Sequence, residues 1–112
     1  MRILITGVCG FIGSHLAKSL ILNKHTVYGI DDFSNYKKNK KLIKLRKKNI
    51  NELNKKKFYF FYKDLLKERT YSFLKKIKID MIIHLAAKPG VFDGEKNNKN
   101  YIEKNVILLN NL

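Results

Sequence analysis

Three glycines and one aspartate carry the clearest chemical pattern in this chain. Gly7, Gly10 and Gly13 stand at G-x-x-G-x-x-G spacing within Thr6-Gly7-Val8-Cys9-Gly10-Phe11-Ile12-Gly13. A pyrophosphate needs backbone that approaches with no Cβ in the way, and amide N–H groups at a helix N-terminus. On that reading Gly7 makes the tight turn, Gly10 admits the phosphate, and Gly13 lets a helix pack close on a strand. The spacing most often quoted is G-x-G-x-x-G, and glycines also mark ordinary turns. Asp31 follows eighteen residues after Gly13, near the roughly 20 expected for the acid on an adenosine ribose. A carboxylate there accepts from both ribose hydroxyls and repels a 2′-phosphate, which favours NAD over NADP. Lys37 and Lys38 lie near enough to soften that repulsion. The plainer role for Asp31 is a strand-end residue that caps a loop.

These groups must be positioned by strands and helices, and the pattern of apolar residues supplies both. Arg2 to Thr6 is a short apolar run ended by glycine, which reads as a buried strand. Phe11 to Asn23 reads as a helix with Ile12, Leu16, Leu20 and Ala17 on its packing face, stopping at Asn23-Lys24. Thr26 to Asp31 is a second strand. Lys37 to about Leu53 carries Leu42, Leu45, Ile50 and Leu53 among eight basic residues, so it reads as an amphipathic, strongly cationic helix. Phe58 to Tyr62 is an aromatic strand, Glu68 to Lys76 a short helix, and Asp80 to Ala87 a continuous apolar strand of the buried parallel kind. Pro89-Gly90 opens a loop. Asn97-Asn98-Lys99-Asn100 leads into a final helix from Lys99 to Leu112. Strands alternating with helices predict an α/β fold: a Rossmann-like parallel sheet of about four strands in order 3-2-1-4 with flanking helices.

Composition narrows the classes. The 112 residues are 45% hydrophobic and 12% aromatic, which is globular rather than disordered. No apolar run approaches the roughly 18 residues of a membrane span. The short run Ile3-Leu4-Ile5 is broken by glycine before a signal-peptide core can form. The single Cys9 allows no internal disulfide and fits a reducing cytoplasm. The net charge is +15, carried by 21 lysines and 3 arginines. Proteins that read phosphates and bases lean on arginine forks, so the charge reads as compositional drift rather than a nucleic-acid surface.

With the strand, glycine loop, helix, strand and acid in register, the chain resembles an extended short-chain dehydrogenase/reductase, the NAD-dependent epimerase/dehydratase family. Thr6-Gly7 to Leu16, TGVCGFIGSHL, resembles that family's phosphate loop, which implies cofactor contacts at Gly7, Gly10, Phe11, Ile12 and Gly13. Gly29 to Tyr36, GIDDFSNY, resembles its ribose loop through Asp31, Asp32 and Asn35, though many members carry asparagine where this chain has Asp32. Asp64-Leu65 matches the pair that contacts adenine. His84-Leu85-Ala86-Ala87-Lys88 matches the fourth-strand end beside the cofactor, which assigns Ala86, Ala87 and Lys88. Val91, Tyr101 and Asn105 fit the segment that follows, with Asn105 as a further cofactor residue. Within the family, GVF and DDFSNYKKNKKL look most like UDP-glucuronate 4-epimerases; UDP-glucose 4-epimerases and dTDP-glucose dehydratases are close alternatives. The resemblance implies a tightly held NAD that takes hydride from a sugar hydroxyl and returns it.

The family's base and lysine, Tyr-x-x-x-Lys, follow its fifth strand. The expectation is therefore that residues 1–112 form an NAD-binding domain ending before that strand, with no substrate domain, no catalytic residues and no metal site. Three such strings occur, Tyr36…Lys40, Tyr59…Lys63 and Tyr71…Lys75, and none lies where the family puts its base. His84 reads as a satisfied core histidine, His15 and His25 as helix and turn residues, and Cys9 as a loop filler rather than a low-pKa thiol. The expected partners are NAD and either a second polypeptide supplying the C-terminal half or a homodimer, with no membrane and no nucleic acid. The alternative is a free-standing nucleotide-binding module or a basic nucleic-acid-binding protein using residues 37–57.

Overall fold

β1 (Arg2–Thr6) is apolar on both sides, with Ile3, Leu4 and Ile5 at most 2% exposed, and a strand buried on both faces belongs in the middle of a sheet. It pairs in parallel with β2 (Thr26–Asp31), Ile3 opposite Val27, and with β4 (Met81–His84), Ile3 opposite Met81. β3 (Phe58–Tyr62) pairs with β2 on the far side, giving the order β3-β2-β1-β4. This is the expected sheet. It comes from a computed structural model that describes residues 1–53, 55, 57–88, 99, 102, 105, 106 and 112. The Pro89-Gly90 loop, Val91, Tyr101 and most of the expected final helix lie outside the described residues.

The helices cover both faces. α1 (Phe11–Leu22) and α2 (Lys40–Asn51) pack on one side over Ile3, Ile5, Val27 and Phe58, through Ala17, Leu16, Leu20, Ile43 and Ile50. α3 (Glu68–Leu74) places Leu74 on the other side, against Leu4, Ile30 and Leu65. A parallel sheet needs such two-sided cover. α1 stops as expected: Asn23 caps it, Lys24 takes φ +65°, and the Lys24 and His25 amides return to Ile21 and Leu20 carbonyls. A left-handed residue just past the cap is a common way to end a helix.

Three expectations need correction. Ile12 is 66% exposed rather than on the packing face of α1. Gly13 and Ala17, one turn apart, set that face because a small residue lets the helix approach the strand. α2 begins at Lys40, not Lys37, because Asn39 caps it through its side chain to the Leu42 amide at 3.0 Å; Ser34–Tyr36 form a separate 3-10 turn before it. Its inner face is Ile43, Arg46 and Ile50, while Leu45 is 52% exposed. β4 ends at His84, three residues short of Ala87, and its Met81 and Ile82 are each 45% exposed. Among the described residues β4 pairs with β1 alone, so it is an edge and not a doubly covered strand.

Candidate nucleotide site

All four strands run the same way, so their carboxyl ends open together, and a cleft forms there. Gly7 and Gly10 line it after β1, Asp31, Asp32, Asn35 and Tyr36 after β2, Lys63, Asp64 and Leu65 after β3, and Leu85, Ala86 and Ala87 after β4. The cleft has an interior of about 90 Å³ and opens to solvent. It sits where chain order reverses between β1 and β4, the usual ligand crevice of an open α/β sheet.

The glycine loop is held by its own backbone. Gly7 has φ +69°, donates its amide to the Ile30 carbonyl at 2.8 Å, and accepts from the Gly10 amide at 3.0 Å. A Cβ on Gly7 would stand 2.8 Å from the Ala86 nitrogen, and one on Gly13 2.6 Å from the Gly7 carbonyl oxygen. Both positions therefore require glycine. Gly10 is the N-cap of α1 and supplies no side-chain cap, and no acid lies in the first turn. The amides of Phe11, Ile12 and Gly13 are left where helix geometry gives them no internal acceptor, which suits an anion.

Asp31 ties this loop to the exit of β2. Its Oδ2 accepts from the Cys9 amide at 2.9 Å and its Oδ1 from the Phe33 amide at 2.8 Å. The Asp32 amide and the Cys9 thiol also bond this carboxylate, so it is a densely bonded acceptor at the edge of the cleft. Burial pushes the Asp31 carboxyl above its ordinary value, against the pull of the Phe33, Cys9 and Asp32 amides, and the Asp32 charge adds to the rise. Asp32 accepts from the Ser34 amide at 2.8 Å, and Asn35 donates to the Ala87 carbonyl at 2.7 Å, bridging the β2 and β4 loops. Asp64 accepts from the Leu66 amide at 2.9 Å, which shapes the turn that presents Leu65.

Thr6 organises the fourth wall. Its buried hydroxyl oxygen accepts from the Leu85 and Ala86 amides at 3.1 and 3.2 Å and lies 2.7 Å from His84 Nδ1. The Leu85 amide also keeps its bond to the Thr6 carbonyl at 3.1 Å, so Thr6 holds the chain just past β4, where residues 85–87 line the cleft. His84 is thus a partnered histidine, and burial lowers its pKa. Cys9 is buried, and burial with the neighbouring Asp31 charge pushes its thiol far up, so it is not a reactive thiolate.

A family model described as GDP-mannose 4,6 dehydratase matches residues 4–112. Protein CapI of Staphylococcus aureus is 36% identical over 111 residues, covering 96% of this chain and 31% of that protein. A Bacillus subtilis protein described as an uncharacterized UDP-glucose epimerase, YtcB, is 45% identical over 93 residues, covering 81% of this chain and 28% of that one. The solved Thermus thermophilus UDP-glucose 4-epimerase, in complex with NAD, superposes with TM-score 0.79 at 26% identity, over 100% of this chain and 32% of its own. The chain belongs to the GDP-mannose 4,6 dehydratase family. It corresponds to the N-terminal part of the NAD-dependent epimerases and dehydratases and spans about a third of the length of the relatives it matches.

Against the family expectation, nine of the fourteen expected site residues line the one cleft: Gly7, Gly10, Asp31, Asp32, Asn35, Asp64, Leu65, Ala86 and Ala87. Phe11 and Ile12 stand exposed at the mouth of α1, and Gly13 is buried beneath the loop. Lys88 and Asn105 pair with each other instead, the Asn105 Oδ1 accepting from the Lys88 amide at 2.7 Å and its Nδ2 donating to the Lys88 carbonyl at 3.2 Å. Sequence reasoning missed Thr6, Ser34, Tyr36 and Lys63. Of the three Tyr-x-x-x-Lys strings, only Tyr36 reaches the cleft as the tyrosine, and Lys40 is exposed on α2. Tyr59 is 44% exposed, and the Tyr71 hydroxyl donates to the Leu65 carbonyl. No described helix is long and apolar enough to cross a membrane.

Proposed function

We propose that this chain is the NAD-binding portion of a nucleotide-sugar epimerase or dehydratase of the UDP-glucuronate or UDP-glucose 4-epimerase type. The observation that carries the reading is the cleft itself. A Cβ-free loop, first-turn amides without a capping side chain, and a half-buried carboxylate lining the cleft converge at the sheet's switch point. The Phe11, Ile12 and Gly13 amides hold the pyrophosphate, Asp31 and Asp32 take the adenosine ribose hydroxyls, and Asp64-Leu65 flank the adenine. Ala86 and Ala87 form the wall toward the nicotinamide, and the Lys88–Asn105 pair stands behind it. When bound, NAD supplies the hydride acceptor that a sugar hydroxyl requires.

These residues bind and orient; they supply no base. The Tyr36 phenol, the one cleft tyrosine among the three strings, is shifted up by burial, the wrong direction for accepting a proton at neutral pH. We therefore assign turnover to a Tyr-x-x-x-Lys pair outside residues 1–112. The exposed β4 edge, with Met81 and Ile82, supports pairing with a further strand of that catalytic portion or with a second copy. The free Cys9 fits a cytoplasmic setting.

Calorimetry with NAD, comparing the chain with Gly10→Val, tests the cofactor assignment. A valine at Gly10 meets the Gly7 carbonyl at 3.1 Å and fills the phosphate opening. Heat of binding disappears in the variant if the reading holds, while equal heats from both proteins overturn it.

A further inference from the structure

One wall of the cleft has no role in the reading above. Tyr36 lines it beside the glycine loop, its hydroxyl oxygen 3.6 Å from the point where a Cβ on Gly10 would stand. That point is the opening the loop keeps clear. The phenol therefore borders the space left for a phosphate. Burial raises its pKa, with Arg46 opposing, so the hydroxyl keeps its proton and acts as a donor. Backbone bonds fix the residue: the Tyr36 amide donates to the Phe33 carbonyl at 2.9 Å, and the Tyr36 carbonyl accepts from the Asn39 amide at 2.8 Å.

A second element supports the ring. α2 presents its lysines, at 40, 41, 44, 47 and 48, to solvent, and its one arginine is turned inward between Ile43 and Ile50. The Arg46 guanidinium carbon lies 5.7 Å from the Tyr36 ring centroid. Its Nε is buried with no hydrogen-bond partner among the described residues, so a hydrogen-bond network does not explain its place. What remains is a flat cation against an aromatic face, which a lysine ammonium cannot match for stacking. In a chain with 21 lysines and 3 arginines, that choice at the inward position is specific.

We infer that Tyr36 is a binding residue for the pyrophosphate, donating its hydroxyl proton to a phosphoryl oxygen, and that Arg46 is the positioning residue that holds the ring there. Arg46 also adds positive potential behind the glycine loop. The inference rests on the nucleotide reading of the cleft and refines it.

The test measures NAD and ADP by calorimetry and adenosine by NMR titration on the whole chain. Tyr36→Phe weakens NAD and ADP about tenfold, the scale of a hydrogen bond to a charged acceptor, and leaves adenosine unchanged. Arg46→Lys keeps the charge, loses the plane, and weakens the same two ligands by about threefold; Arg46→Gln weakens them more than Arg46→Lys does. A change limited to the pyrophosphate ligands supports the inference. Equal weakening of all three ligands reduces Tyr36 to a structural prop and overturns it, as does ADP affinity unchanged in Tyr36→Phe. Wild-type protein that binds ADP but gains nothing from Tyr36 leaves the nucleotide reading standing, whereas failure to bind any of the three removes both.

Discussion

The glycine loop and the basic helix α2 are the two loudest features of the sequence, and the structure treats them in opposite ways. At the loop, Val8 and Cys9 are wholly buried, and the amides of Gly7, Cys9 and Gly10 all have partners. On α2, five lysines face solvent, and the ion pair Lys48–Glu52, at 3.9 Å with both side chains more than 60% exposed, is the one salt bridge among the described residues. Spacing became geometry in the first case. Net charge remained charge in the second. A feature defined by position constrains its neighbours, whereas one defined by composition leaves them free.

The contrast makes its sharpest prediction at Gly13 and Gly7. Gly13→Ala drives a methyl into the Gly7 carbonyl, so it costs about 1–3 kcal/mol as overpacking. Gly7→Ala adds the left-handed penalty of roughly 1–2 kcal/mol to a similar clash. Chemical denaturation measures both. If either variant matches wild type, the loop is not the rigid element described.

Asp31→Asn comes next. Losing a charged acceptor for ribose hydroxyls weakens NAD by about tenfold or more, read by calorimetry. The same group gives two opposed pH effects. Because its folded pKa is raised, Asp31 takes up a proton on acidification sooner in the folded than in the unfolded chain. Its contribution to stability therefore rises as pH falls from the raised value toward the ordinary carboxylate value, while NAD affinity declines over the same window. Asp31→Asn abolishes both trends. His84 acts the other way: its folded pKa is lowered, so stability declines as pH falls below the ordinary 6.5, where the unfolded chain protonates first. Thermal melts between neutral and mildly acidic pH of wild type and His84→Asn separate the two groups.

Smaller effects belong to the surface. Lys44→Gln changes stability by less than about 0.5 kcal/mol; a larger loss would show that α2 is more organised than its exposure indicates. Lys24→Gly removes a left-handed side chain at φ +65° and adds a few tenths to about 1 kcal/mol, measured by the shift in denaturation midpoint.

The sequence made the sheet legible because β1 and β2 are apolar runs bounded by turn residues, and chain order with right-handed crossovers leaves few topologies. Asp31 was legible because its distance from Gly13 reflects one helix and one strand of fixed length. Arg46 and Tyr36 were not. Their meeting depends on how α2 rotates about its axis, and that rotation follows Ile43 and Ile50 rather than the more conspicuous Leu42 and Leu45. Ile12 misled for a related reason: apolar periodicity marks a face, but the closest approach selects glycine. Thr6 hid because a threonine at a strand end reads as a β-branched residue, with its hydroxyl silent until partners from a strand 78 residues away arrive.

That hydroxyl shares a question of proton ownership with its neighbour. An alcohol oxygen has two lone pairs and one hydrogen; at Thr6 the Ala86 amide donates to it, and the Leu85 amide divides itself between it and the Thr6 carbonyl. The same oxygen lies 2.7 Å from His84 Nδ1, so the direction of that bond and the tautomer of the ring are one choice. A hydroxyl that donates goes with a ring protonated on Nε2, and a hydroxyl that accepts with a ring protonated on Nδ1. A methyl-for-hydroxyl exchange at Thr6 would release the imidazole to choose again. One oxygen thus couples the end of β1 to the proton position of a ring on the neighbouring strand.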